Sequence, residues 1–158
     1  MYRHILVPTD GSTLSEQSVA AGIDLARALG ARVTALYAIP EPDSCDIDVW
    51  AAGDGVEDAE ERYDLLHEKL ALAYLGVARK AAEEAGVPCE CTSVRASHPH
   101  AAILQAARER GCDLIVMASH GRKGESALLM GSETIKVMTL GAIPVLVNRV
   151  GKAVGVSS

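Results

Sequence analysis

The sequence predicts an α/β fold: a single-domain, three-layer α/β/α arrangement around a five-stranded parallel sheet ordered 3-2-1-4-5. Three observations carry this. Short apolar runs alternate with longer segments of helical period, in the order β-α-β-α-β-α-β-α-β. Some of the runs are apolar on nearly every residue, as strands covered on both faces are. Right-handed crossovers then leave few topologies for so regular an alternation.

The elements follow in order. "HILVPTD" reads as a buried strand built on Ile5, Leu6 and Val7 and stopped by Pro8. A turn at "DGS" leads into a helix. Thr13 and Glu16 have capping-box spacing there, Val19, Ile23, Ala26 and Leu29 form the apolar stripe, and Gly30 ends it. "ARVTALYAI" is the second strand. Residues 40–58, "PEPDSCDIDVWAAGDGVED", are acidic, hold two Pro and two Gly, and show no period. They read as a flexible connector, with Trp50, the one Trp, keeping a lid reading open. A long helix covers 59–86 and ends at Gly86, and "VPCECTSVRAS" is the third strand. Pro99 opens the next helix and Gly111 closes it. "CDLIVMAS" is the most strand-like run. "SETIKVMTLG" is a short helix, "AIPVLVNRV" a last strand, and 151–158 a disordered tail behind a domain of 1–150.

Composition excludes several classes of function. With aromatic residues at 3% and no Phe, base-stacking platforms for single-stranded nucleic acid have no material. The net charge of −6 argues against nucleic acid and anionic membranes as partners. It also requires any anionic ligand to be held by a local device. No stretch reaches the roughly 20 apolar residues of a membrane span. "MYRHILVPTDGS" has no signal-peptide run, so a cytoplasmic protein is expected. The cysteines, Cys45, Cys89, Cys91 and Cys112, fit a reducing compartment.

In the 3-2-1-4-5 order the sheet reverses direction between strands 1 and 4, where such sheets bind ligands. Strand 1 ends at "VPTDG" and brings Asp10. Strand 4 ends at "MASHG" and brings glycines, Arg122, Lys123 and a helix starting at Ser132. A helix start presents free N–H groups and a positive dipole end to anions. Asp10 suits ribose hydroxyls or a metal that bridges to phosphate. No Walker loop and no G-x-G-x-x-G follows strand 1. From the residues alone, a phosphate or nucleotide cradle and a plain connector both stay open.

"ILVPTDGS", "DLIVMASHGRKG", "LLMGSETIKVM" and "IPVLVNR", in that order and spacing, resemble the universal stress protein family over residues 2–149. The family's fold is the 3-2-1-4-5 sheet, of adenine nucleotide alpha hydrolase-like type. Its ATP-binding members are similar to G-x2-G-x9-G-[ST]. Here Ala118 stands at the first Gly, Gly121 at the second, and Gly131 and Ser132 follow nine residues later. The resemblance implies ATP as ligand, with Mg²⁺. It places Gly121, Gly131 and Ser132 on the phosphates, with the amides of Arg122 and Glu133. Pro8, Thr9 and Asp10 would lie along the adenosine, with Asp10 on the ribose. Ala38 would meet the adenine, Met117 would pack near the sugar or base, and Ala118 would hold the strand end. His120 would touch phosphate or hydrogen-bond within its loop. The family's dimers often pair the last strand, here Pro144, Val145, Leu146, Val147, Asn148 and Arg149.

The implied protein is an ATP-binding, homodimeric, cytoplasmic stress-response regulator whose surface toward a protein partner changes with nucleotide occupancy. The alternatives are a nucleotide-independent dimeric interaction module and an ATP-dependent transferase or slow ATPase. The S-G-G-x-D-S, HIGH and KMSKS signatures of adenylating enzymes are missing, and no Ser-His-Asp or Cys-His set stands out, so no catalytic residues are expected. Cys89-x-Cys91 and His98-x-His100 lack zinc-like spacing, so no metal site of their own is expected.

Overall fold

The computed structural model describes residues 1–42, 56–120 and 131–149. Most of the acidic segment with Trp50, the loop carrying Gly121 and Arg122, and the tail expected to be disordered lie outside the described residues. The elements are β1 (His4–Thr9), α1 (Thr13–Leu29), β2 (Arg32–Pro40), α2 (Val56–Ala85), β3 (Cys89–Ala96), α3 (Pro99–Glu109), β4 (Leu114–Ala118), α4 (Ser132–Leu140) and β5 (Val145–Asn148). The strands form one parallel sheet in the order β3-β2-β1-β4-β5.

Alternation along the central strands builds two cores, because successive side chains leave a strand on opposite faces. Ile5, Val7, Val33, Ala35, Leu114 and Val116 pack under α1 and α2, against Val19, Ile23, Ala26, Leu75 and Ala78. Leu6, Leu36, Ile115 and Met117 face the other way, toward Ile103 and Ala106 of α3 and Val137 of α4. Ile5, Leu6, Leu36 and Ile115 are fully buried. Each stabilises the fold by about 1.5–3 kcal/mol relative to exposure. Among the described residues no helix is long and apolar enough to cross a membrane.

Gly30, Gly86 and Gly111 end three helices with φ of 65°, 70° and 67°, as left-handed caps require. Two local readings need correction. Pro8 does not stop β1, which runs on through Thr9. The β4 side of the β1 ladder ends at Leu6, so Pro8 lies beyond that pairing and keeps only its β2 neighbour. The cap of α1 is Ser12, not Thr13. Asp10 Oδ1 accepts from the Ser12 N–H at 2.9 Å, and Ser12 Oγ accepts from the Ser15 N–H at 3.2 Å. That turn sets Ser12 in an extended conformation and leaves Thr13 inside the helix. The last strand spans Val145–Asn148, with Pro144 and Arg149 flanking it.

Candidate functional site

The sheet splits where its order reverses. β1 and β4 pair only at Ile5 with Leu114 and Leu6 with Ile115. Beyond that point β1 stays with β2 as far as Thr9–Tyr37, and β4 stays with β5 as far as Ala118–Asn148. The C-terminal ends of β1 and β4 are therefore not paired with each other beyond that point, and residues 8–10 and 117–120 flank the candidate crevice. Helix α1 packs across the split. Gly22 permits its approach, since a Cβ there would collide with Val7 Cγ1.

The first wall is a hydrogen-bonded turn. Thr9 is buried, and its Oγ1 accepts from the Gly11 N–H at 3.2 Å and lies 3.2 Å from Ser15 Oγ. Ser15 Oγ also accepts from the Asp10 N–H at 3.3 Å and donates to Ser12 O at 2.9 Å. Gly11 has φ 78° and faces the Tyr74 ring so closely that any Cβ would strike it. Asp10 is thus held at the rim by its own backbone turn. Ala38 lies on β2 one residue past the last β1 pair, in register with Val94.

The second wall is drier. Met117, Ala118, Ser119 and His120 are each exposed by 9% or less. Ala118 lies inside β4, and no described non-glycine residue has positive φ. The position that carries Gly in the family pattern thus takes Ala without backbone strain. His120 Nδ1 lies 2.9 Å from Ser119 Oγ, while its Nε2 is buried and has no hydrogen-bond partner among the described residues. A buried, unsatisfied ring nitrogen is costly unless a ligand meets it.

α4 starts against this wall. The Gly131 N–H donates to Ser119 O at 2.7 Å, and Thr134 Oγ1 donates to Ala118 O at 3.0 Å. A Cβ on Gly131 would sit 3.0 Å from Ser119 O and 3.4 Å from His120 Cα, so glycine lets the helix start come this close. Gly131, the N-cap, offers no side chain to the first-turn N–H groups, and Ser132 is exposed beside it. Those N–H groups have no acceptor within the helix itself. Glu133 contributes its amide to this turn, but its carboxylate reaches α3, bonding the His100 N–H and Nδ1, both at 2.8 Å.

Most of the expected residues therefore meet at one end of two adjacent strands. Pro8, Thr9 and Asp10 stand on one side, and Met117, Ala118, His120, Gly131, Ser132 and Glu133 on the other. Gly121 and Arg122 lie outside the described residues. Sequence reading missed Ser15, Ser119 and Thr134 as supports. Ser15 had a signal, a polar residue on the first turn of an amphipathic helix, whereas the bond from Thr134 to Ala118 spans 16 positions and leaves no local trace.

The other candidates do not gather ligands. Cys89 and Cys91 are half-buried, and Cys91 Sγ donates to Leu75 O at 3.6 Å. Burial, then the neighbouring Cys91, pushes the Cys89 thiol up to about 11, unfavourable for a thiolate ligand. Cys112 is buried against the sheet, and desolvation raises its thiol to about 11. His98 caps α3 without a side-chain bond. Among the described residues no group of three or more His, Cys, Asp or Glu could hold a metal ion.

Comparison with known proteins covers the whole domain. The profile of the universal stress protein family matches residues 1–149. A universal stress protein of Methanocaldococcus jannaschii, MJ0531, is 31% identical over 150 residues, 93% of this chain and 82% of the relative. YxiE, a universal stress protein of Bacillus subtilis, is 30% identical over 153 residues, 94% of this chain and 100% of the relative. The solved structure of MJ0577, from the same archaeon as MJ0531, aligns with TM-score 0.75 at 27% identity, over 97% of this chain and 99% of that one. A universal stress protein solved in complex with cAMP has the same fold, with TM-score 0.63 at 24% identity over 95% and 99% of the two chains. Another, from Archaeoglobus fulgidus in complex with dAMP, aligns with TM-score 0.59 at 19% identity over 92% and 97%.

Proposed function

The chain belongs to the universal stress protein family, and from that premise we propose that it binds ATP, with Mg²⁺, in the split between β1 and β4. The observation that carries the reading is the second wall of the crevice. Among the described residues, the buried His120 Nε2 has no partner and no side chain caps the adjacent start of α4, and Gly131 holds the two together. Such a wall suits an anion whose charge the helix end can share with His120 Nε2–H, in the tautomer whose Nδ1 accepts from Ser119 Oγ. Each N–H bonded to a charged oxygen is worth about 1.5–3 kcal/mol, enough in combination to overcome a net charge of −6.

Asp10, across the split, takes the ribose hydroxyls or a Mg²⁺ bridging to the phosphates. Ala38 lies where an adenine can lean on the β2 backbone. The fold accommodates adenine nucleotides in the proteins solved with cAMP and dAMP.

The biological role follows as part of the same proposal: a homodimeric stress regulator, without dedicated catalytic residues, whose partner-facing surface changes with nucleotide occupancy. Support for the dimer comes from β5, which among the described residues is an edge strand paired only with β4. Leu146 on that edge is 43% exposed, and Ile135 and Met138 of α4 are also exposed. An open apolar edge calls for a cover.

The test is identification of nucleotide released from purified protein by chromatography and mass spectrometry, followed by titration of the emptied protein. ATP at near-stoichiometric occupancy supports the proposal. Protein that carries no nucleotide and binds none at millimolar ATP with Mg²⁺, yet is dimeric, favours the nucleotide-independent interaction module.

A further inference from the structure

Glu133 is the second residue of α4, and its carboxylate reaches across to α3. Oε2 accepts from both the backbone N–H and Nδ1 of His100 at 2.8 Å, and Oε1 lies 3.7 Å from Lys136 Nζ. His100 is the second residue of α3, whose N-cap His98 makes no side-chain cap bond. The Glu133 carboxylate therefore caps a neighbouring helix. The His98 and His100 rings stack with centroids 5.4 Å apart and planes 14° from parallel, which fixes the orientation of the donating ring.

An acid in the first turn of a helix is drawn to that helix's own N–H groups. At α4 those are the groups proposed to take phosphate, so a free carboxylate there competes with the ligand. Burial pulls the Glu133 carboxyl upward, but the two His100 hydrogen bonds and the charges of His100 and Lys136 outweigh it, holding the group below its ordinary range. The competitor is thus a full negative charge at neutral pH, and the His100 tether, with Lys136 beside it, keeps it off the helix start.

We infer that His100 is a positioning residue: it holds the Glu133 carboxylate on α3, keeps the start of α4 open, and so sets how strongly the site favours ligands by the length of their phosphate chain. The inference rests on the nucleotide reading above. Losing the ring half of the tether leaves the His100 backbone N–H as its remaining donor on α3, so the carboxylate can swing back toward the phosphate end of the crevice while the nucleoside end is untouched. The penalty therefore grows from adenosine through AMP to ATP.

Calorimetric titration of ATP, AMP and adenosine into wild type, His100→Ala, Glu133→Gln and the double variant tests it. His100→Ala weakens ATP binding about three- to fivefold, from the size of a charge effect at a helix end. AMP is affected less, and adenosine binds as to wild type. Adding Glu133→Gln to His100→Ala restores ATP affinity, because the amide carries no charge. Should His100→Ala fail to fold, His100→Phe keeps the ring volume and the stack while removing the ring donor, and is read the same way. Unchanged ATP affinity, an equal loss for adenosine, or no rescue by Glu133→Gln overturns the inference while leaving nucleotide binding intact. Wild type that binds none of the three ligands overturns the nucleotide reading and the inference with it.

Discussion

Replacing Gly131 by valine isolates the close approach on which the proposed phosphate cradle depends. Gly131 has φ −60° and ψ 147°, values open to any residue, so the backbone itself does not resist substitution. The cost comes from contact. A Cβ meets Ser119 O at 3.0 Å and His120 Cα at 3.4 Å, both backbone atoms of the strand end that α4 starts against. Ser119 O is already engaged by the Gly131 N–H at 2.7 Å and by Thr134 Oγ1 at 3.3 Å, so it cannot move without breaking those bonds. Alanine needs a shift of a few tenths of an ångström. Valine adds two methyls and pushes the helix start off the strand end, at about 1–3 kcal/mol of stability. If one first-turn N–H loses its phosphate oxygen, about 1.5–3 kcal/mol of binding is lost, a factor of about 10 to 150 in Kd. Titration of Mg-ATP by calorimetry, with a denaturant melt to confirm that the variant is folded, measures both terms. A folded Gly131→Val protein binding ATP within about twofold of wild type would refute the cradle.

Other expectations are independent of that one. Asp10→Ala should weaken ATP about tenfold through the lost ribose or metal contact, while Asp10→Asn, which keeps an acceptor oxygen, loses less; equal binding by both variants and wild type would remove Asp10 from the site. Ser12→Ala should cost about 1 kcal/mol in urea unfolding, as the loss of an N-cap does; an effect near zero would mean that Thr13 caps the helix after all. His4 is held below its ordinary 6.5 by burial and then by Arg32, and His67 by burial and then by Arg95. Their neutral forms are the ones the fold prefers. The contribution is therefore complete above about 6.5 and falls as pH drops from there toward the lowered folded values, which urea midpoints between pH 8 and pH 5 follow. His4→Phe should flatten part of that slope. Alkylation of native protein at pH 7.5 with peptide mapping should leave Cys112 unmodified, since the thiol is buried and raised to about 11.

The layered fold is legible in the sequence because its strands are buried on both sides. Ile5 to Val7 and Leu114 to Met117 carry no polar residue to confuse the period, and Gly30, Gly86 and Gly111 mark helix ends by a conformation other residues avoid. The errors were local. Pro8 looks like a strand end until the sheet is seen to split beside it, which removes the pairing that proline would spoil. Ser12 and Thr13 are equally good caps in isolation, and the choice falls to Asp10, whose carboxylate fixes the preceding turn. The meeting of the two loops follows from topology alone. The fine structure of the site does not, because its supports are long-range. The Gly131–Ser119 bond, the unpartnered His120 ring nitrogen and the Glu133–His100 tether join residues that no period or spacing connects.

The central claim is that an adenine nucleotide sits in the split between β1 and β4. Amide NMR of the isotope-labelled protein, titrated with Mg-ATP, tests it most directly. Nucleotide bound there produces saturable shifts clustered at residues 8–11, 117–120 and 131–134, with the far ends of the same strands, around His4 and Asp113, unmoved. Shifts confined to another surface, or none at millimolar nucleotide, would contradict it.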